Sequence, residues 1–470
     1  MLKGIADFVA ILKCMILPFF DKLEETVEEA RDTIGVRPFR WPPFVLGLFF
    51  LFIAYLFLPT QVGFALSIAF FLAPVWLPFL LVGGALVLWL VLIRSEFIAS
   101  KPYVLLEIKL PRNLVKTPLA MEAVFSSIHY TKGESNWFQI FWQGQVRPYW
   151  SFEIASFGGQ VHLFVWTRAD FRKLVENAFY AQYPGVQLAE AIDYTRVLSA
   201  RPEEWSVWGC DYKHTKSIDA YPIRTYVEYG LDKTQKEPEQ VDPFASLIEF
   251  MGSIGKGENL WLQFIIRVHK GEKYHRTNKE GKPYTWRDQA TEEIEKIRER
   301  AGVKSKFFDP TTGKMIQTEG FPNPTKGQVE SIAAIERNVS KLGFDVGGRA
   351  IYIAAPGHFN PTMITGMIGL FRAFTSEGWN GIKATHFGME FSDYPWEIGN
   401  ERRKDIFRRH IVQAYRRRQY FHEPFVMTNP MVMSTEELAT IFHIPSSSIA
   451  APGLTRIHST THGAPADLPI

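Results

Sequence analysis

Between Arg40 and Arg94 the chain carries no lysine, arginine, aspartate, glutamate or histidine. A soluble core rarely absorbs so long a run, because almost every element of a soluble domain must turn part of its surface to water. At about 1.5 Å per helical residue, the segment 41–93 far exceeds the ~30 Å of bilayer hydrocarbon. Two spans fit it better than one, and the sequence predicts a transmembrane hairpin over 41–95. The first span is expected at about 43–58 and the second at about 75–93. Proline removes a donor and bends helices, which places the break near Pro59-Thr60-Gln61 or near Pro74 and Pro78. Trp41, Trp76 and Trp89 are the interfacial anchors that such spans use.

The flanks orient the hairpin. Arg31, Arg37 and Arg40 precede it, Arg94, Lys101, Lys109, Arg112 and Lys116 follow it, and the connection holds no cation. The positive-inside rule then puts both ends in the cytoplasm. The expected location is the inner (cytoplasmic) membrane, multi-pass, with a cytoplasmic soluble domain. The apolar run begins too late for a cleavable signal peptide. Two cysteines, Cys14 and Cys210, exclude a disulfide framework and suit a reducing compartment. Ahead of the hairpin, Ile5, Phe8, Val9, Leu12, Met15, Ile16 and Phe19 share one helical face, predicting an amphipathic helix in residues 1–40. It is either interfacial or packed on the chain's own spans.

From Pro102 onward α and β patterns alternate. Strands are expected at 103–110, 149–155, 161–167 and 186–194, with helices at 118–129 and 170–180. Ser156-Phe157-Gly158-Gly159 is a hairpin signal. That order is βαββαβ, the ferredoxin-like arrangement, over 100–196. A second α/β domain over 205–445 should hold strands at 205–211, 221–229, 260–268 and 350–355. Its helices are expected at 243–252, 291–300, 328–342, 361–374 and 401–420, with a mobile loop at 305–324. Ser434 and Glu437 have capping-box spacing, which predicts a short helix to about Phe442. Residues 446–470 read as a flexible tail. The fold class is thus an α+β soluble region with one ferredoxin-like unit and a second α/β unit, preceded by a two-helix transmembrane hairpin.

Chemical motifs are sparse. Gly252-Ser253-Ile254-Gly255-Lys256-Gly257 has neither the spacing of a P-loop nor a hydroxyl for Mg²⁺, so a turn is the better reading. His422-Glu423-Pro424 lacks the H-E-x-x-H spacing of two ligands on one helical face, and no Gly-x-Ser-x-Gly elbow occurs. No catalytic residue, metal ligand or cofactor is expected, and the chain reads as a non-enzyme. The strongest interaction signal is a basic helix carrying Arg402, Arg403, Arg408, Arg409, Arg416, Arg417 and Arg418. Phe407, Ile411, Ala414 and Tyr415 lie on its opposite face. Such a surface suits phosphates, anionic lipid or an acidic partner; a solvated helix paired internally to Glu401 and Asp405 is the plainer reading. A second segment interleaves Arg267, Lys270, Lys273, Arg276, Lys279 and Lys282 with Tyr274, Tyr284 and Trp286, as single-stranded nucleic acid sites do. A loop with buried aromatics explains it equally well.

Several phrases together resemble the membrane-anchored amino-terminal region of conjugation-type, HerA/FtsK-like ATPases of type IV secretion systems. They are Trp150-Ser151-Phe152-Glu153-Ile154 before Gly158-Gly159, Tyr183-Pro184-Gly185-Val186, Asn259-Leu260-Trp261-Leu262-Gln263, and 433–445 (MSTEELATIFHIP). The resemblance covers about 100–470 and includes no catalytic signature. In that family a segment like Ala464-Pro465-Ala466-Asp467-Leu468-Pro469 leads into a P-loop motor, which this sequence lacks. The resemblance implies an anchor and docking component for a separate hexameric P-loop ATPase in a DNA- or protein-translocating apparatus. Membrane lipid, DNA and further copies of the chain are its other expected partners. A membrane-anchored nucleic-acid-binding protein using the basic helix is the alternative.

Overall fold

The computed structural model describes residues 43–111, 114, 116–134, 136–196, 205–233, 241–309, 314–322, 324–385, 400–422, 425–426, 428–445, 454 and 456–457. The expected amino-terminal helix of 1–40 and nearly all of the expected tail lie outside them. Two compact units part between Val87 and Leu88.

Among the described residues the first unit holds three apolar helices, α1 (Pro43–Phe57), α2 (Pro59–Phe71) and the start of α3 (Ala73–Ser100). Pro59 opens α2, where a missing N–H costs nothing. Pro78, expected as a break, instead sits inside α3. At 15 and 13 residues, α1 and α2 reach only about 22 and 20 Å. The 28 residues of α3 reach about 42 Å, past the ~30 Å of hydrocarbon. Among the described residues α3 is the one helix long and apolar enough to cross a membrane. The expected pair of spans is therefore corrected to one long helix behind two short ones.

The second unit is organised on a ten-stranded sheet. Its strands are β1 (Tyr103–Pro111), β2 (Tyr149–Phe157), β3 (Gln160–Arg168), β4 (Gln187–Glu190), β5 (Ser206–His214), β6 (Glu258–Val268), β9 (Gly343–Ala354), β10 (Ile382–Ala384), β11 (Met431–Ser434) and β12 (Arg456–Ile457). Strands β7 (Gly302–Asp309) and β8 (Lys314–Pro322) form a separate hairpin. In the amino-terminal half β4 pairs β1, β1 pairs β3 and β3 pairs β2, all antiparallel. Helices α4 (Leu119–Ser127) and α5 (Trp137–Phe141) follow β1, and α6 (Arg172–Gln182) follows β3. In the carboxyl-terminal half β10 pairs β5, β5 pairs β9 and β9 pairs β6, again all antiparallel. There α7 (Pro243–Gly252) follows β5 and α10 (Pro361–Gly369) follows β9. Each half thus places its fourth, first, third and second strands side by side. The halves join where β2 pairs β6 from Tyr149↔Arg267 to Phe157↔Asn259.

Period-two alternation divides the apolar residues of β6 between two cores. Leu260, Leu262, Phe264, Ile266 and Val268 join the core with Met121, Val124 and Phe125 of α4, Val175 and Phe179 of α6, and Phe244, Leu247 and Ile248 of α7. Trp261 and Ile265 face the opposite way, into a core with Ile351, Ile411, Tyr415 and Tyr420. Both faces are covered, so both sets of side chains must be apolar or internally paired.

Three differences from the expected second domain have local causes. Residues 221–229 form irregular chain and a turn, not a strand, and two of their amides serve side chains: Ile223 N donates to Glu437 and Tyr226 N to Thr440. The expected loop 305–324 contains most of the β7–β8 hairpin, whose register runs from Gly302↔Pro322 to Asp309↔Lys314. It separates α8 (Trp286–Ala301) from α9 (Lys326–Ser340), so a 74-residue insertion, 269–342, stands between β6 and β9. The equivalent connection in the first half is Gly158-Gly159, with φ of 56° and 93°, the turn that positive φ permits.

Candidate functional site

Helix α11 (Asn400–Arg416) carries the basic cluster. Ile411, Ala414 and Tyr415 bury its inner face, as expected from their spacing. Arg409 and Arg417 are exposed, and Arg408 and Arg416 are half-buried. Arg416 Nε donates to the Thr195 carbonyl at 2.9 Å, and the Arg417 guanidinium lies over the Phe425 ring at 5.6 Å. Arg402 and Arg403 lie on the helix, but their side chains are outside the described set.

Arg418 corrects the reading of one continuous basic face. Its side chain is 1% exposed and points into the protein. Nε donates to Glu153 at 2.9 Å, and Nη1 donates to Asp193 at 2.6 Å. The backbone explains this direction. Gln419 N donates to Ala414 O and Arg418 N to Tyr415 O, the paired bonds of a Schellman ending. That motif needs a left-handed residue, usually glycine, and Arg418 takes the place at φ 50°. A non-glycine residue there costs roughly 1–2 kcal/mol, and the two carboxylates hold the arginine in it.

The partner of Arg418 belongs to a polar rung running straight across the sheet. Strand register aligns Glu107, Phe164, Glu153, Gln263, Arg349 and Asp211 in one row. Around Glu153, Ser151 Oγ donates at 2.7 Å, Tyr194 Oη at 2.8 Å and Gln263 Nε2 at 3.0 Å. Farther along, Arg349 forks onto Asp211 at 2.7 and 3.1 Å, with both side chains fully buried. Burial pushes the Asp211 carboxyl up, and Arg349 opposes that rise without reversing it.

A second charged cluster closes the end of β6. Arg267 pairs with Asp345 at 3.0 Å, and His269 Nδ1 lies 2.6 Å from the same carboxylate. Burial pushes Asp345 up, but Arg267 and His269 outweigh it and leave the group below its usual range. Arg147 bonds to Glu134 at 2.8 Å and also to Glu272. His422 is held well below the usual imidazole range by burial and by Arg267, Arg94 and Arg147. In the basic segment beyond β6, Lys273 is held by a buried carboxylate, whereas Arg276 and Lys282 pair at the surface. Lys273 bonds to Asp219 at 2.7 Å, Arg276 to Glu292 at 2.9 Å and Lys282 to Glu280 at 2.9 Å. Tyr284 and Trp286 are buried, which removes them as stacking platforms for bases.

Helix α12 (Thr435–Ile441) lies within the phrase 433–445, and every residue of the helix is buried. Ser434 and Glu437 form the expected capping box. Glu437 Oε1 also accepts from Ile223 N at 2.9 Å, and Glu436 accepts from Thr225 Oγ1 at 2.7 Å. Burial pushes Glu437 up to about 8, against the pull of the Ser434 and Ile223 amides. Both carboxylates lie in the first turn of α12 and also act as internal staples.

The P-loop-like segment is a turn between α7 and β6, as the spacing required. Gly255 N already donates to the Glu258 carboxylate, so the loop satisfies one of the amides that a phosphate would use. Among the described residues no group of three or more His, Cys, Asp or Glu could hold a metal. Sequence reading missed Glu153, Asp193, Asp211 and Arg349, because single charges in apolar strands carry no local signal of their distant partners.

A family model described as a domain of unknown function (DUF8128) matches residues 96–455, well over half of the chain. No curated protein and no solved structure matches it.

Proposed function

The chain belongs to the DUF8128 family, and on that premise we propose that it is a non-enzymatic, membrane-anchored docking component that recruits a separate P-loop ATPase to a translocation apparatus. The observation behind this reading is the direct passage from α3, ending at Ser100, to β1, beginning at Tyr103. An apolar helix long enough to cross a bilayer leads straight into a large sheet domain. The cations that follow the apolar run, Arg94, Lys101, Lys109, Arg112 and Lys116, favour a cytoplasmic domain at the inner membrane. The β4–β1–β3–β2 order supports reading the first half as a ferredoxin-like unit, and the same order in the second half supports a tandem of two. Charged groups turned inward support a scaffold, since they act on one another rather than on a substrate. The link to conjugation-type secretion rests on the sequence phrases in the sheet and in α12.

The alternative, nucleic-acid binding by α11, keeps Arg409 and Arg417 as exposed cations but loses Arg418 to the interior, and we do not adopt it. The test is purification of the tagged full chain from crosslinked, solubilised membranes. A P-loop ATPase should co-elute in constant ratio and bring ATP hydrolysis with it. Repeated preparations of intact chain without any such ATPase would overturn the proposal.

A further inference from the structure

The connection between α4 and β2 contains a second run without charge, residues 135–146 (SNWFQIFWQGQV). Short helix α5 lies within it, started by Asn136, whose side chain accepts from Gln139 N at 2.9 Å. Its aromatic residues turn outward: Trp137 is 61% exposed, Phe138 50% and Trp142 63%. They stack as a group, with Trp137 5.7 Å from Phe141 and Phe138 6.5 Å from Trp142. Large aromatics so exposed and so close together mark a surface that meets something other than bulk water.

Its position says what. The Trp89 indole, past the midpoint of α3, donates to the Phe141 carbonyl at 2.7 Å and lies 6.1 Å from Trp142. One turn on, the segment touches the backbone of α3. A Cβ on Gly144 would lie 2.3 Å from the Ile93 carbonyl oxygen, so only glycine, at φ 59°, permits this approach. The contact falls where the uncharged run ends, between Trp89 and Arg94. Tryptophan gathers at that boundary, its ring in apolar surroundings and its N–H among headgroups.

We propose that residues 136–143 form a second membrane contact, an aromatic foot resting in the lipid headgroup layer beside the base of α3. This inference rests on the reading of α3 as a membrane anchor. The occupant is the lipid interface, because the segment is continuous with α3 and contains aromatic rings and amides but no charge. Attraction should therefore come from ring burial and be indifferent to headgroup charge.

The test uses the full chain with Cys14 changed to Ser, reconstituted in phosphatidylcholine vesicles with and without phosphatidylglycerol. An environment-sensitive fluorophore is attached at Leu81→Cys in α3, Phe138→Cys in the foot, or Asn177→Cys on exposed α6. Labels at 81 and 138 should lose emission to a quencher carried on the lipid chains, equally in both vesicle types. The label at 177 should lose it only to aqueous iodide. Quenching at 81 with an iodide-accessible label at 138 would overturn the foot and leave the anchor standing. Protection at 138 from both quenchers would also overturn it, by showing a protein surface there. No lipid quenching at 81 would remove the anchor and the foot together.

Discussion

In the amino-terminal half of the sheet, the carboxylate of Glu153 is met by Arg418, an arginine from beyond α11. In the carboxyl-terminal half, Asp211 of β5 and Arg349 of β9 neutralise each other across neighbouring strands. Strand order and helix placement are alike in the two halves, so topology does not cause the difference. The first half depends on a later segment being docked, whereas the second contains both members of its buried pair. The second half borrows elsewhere: Glu437 of α12 accepts the Ile223 amide, which has no strand partner.

The largest expected effect breaks that dependence. Arg418→Ala leaves Glu153 and Asp193 without their cation and should cost about 3–5 kcal/mol in denaturant unfolding of the full chain. Hydrogen exchange should quicken in β2 and β3 while β5 and β9 stay protected; equal loss in both halves would show one indivisible unit. A companion Glu153→Gln should recover part of the loss, since it removes the stranded charge.

Glu437 tests the borrowed staple in the other half. Its folded pKa of about 8 lies above its ordinary 4.5, so the folded state binds the extra proton. Its stabilising contribution is full below about 4.5 and is lost as pH rises through about 8, by up to about 5 kcal/mol. Relative to Glu437→Gln, the unaltered chain should therefore lose stability across that window. Parallel pH profiles for the two would refute the assignment.

Ser434→Ala removes the other member of the capping box and should cost about 1 kcal/mol at every pH, read as a lowered unfolding midpoint. The smallest effect concerns the insertion that distinguishes the halves most visibly. Gly302 faces Pro322 across the hairpin, so replacing 303–321 by a short glycine turn should leave the chain closed. Stability should stay within about 0.5 kcal/mol. A larger loss would show that the hairpin supports the sheet.

The first half was legible in the sequence because its signals are local. Gly158-Gly159 marks its turn, α6 has a clean apolar stripe, and its strands follow one another closely. The second half was harder because its third strand comes 74 residues after its second, and its fourth, β10, has three residues. Periodicity has no purchase on a strand so short. Along α11 the sequence shows the charge as a composition but not as one surface. Helical spacing places a residue only while the helix lasts, and Arg418 lies past its end. The aromatic foot does leave a signal, twelve residues without a charge, but it falls between stronger patterns.

A position that asks for glycine by its backbone and for a forked cation by its neighbours has few acceptable occupants. Glycine there would relax the chain and strand two acids, while lysine would keep a charge but neither the fork nor the backbone ease. Sequence drift at 418 must therefore pass through paired change at Glu153 or Asp193. Among homologous chains these three positions should vary together or not at all. In a saturation library, 418 should tolerate fewer replacements than its neighbour 417.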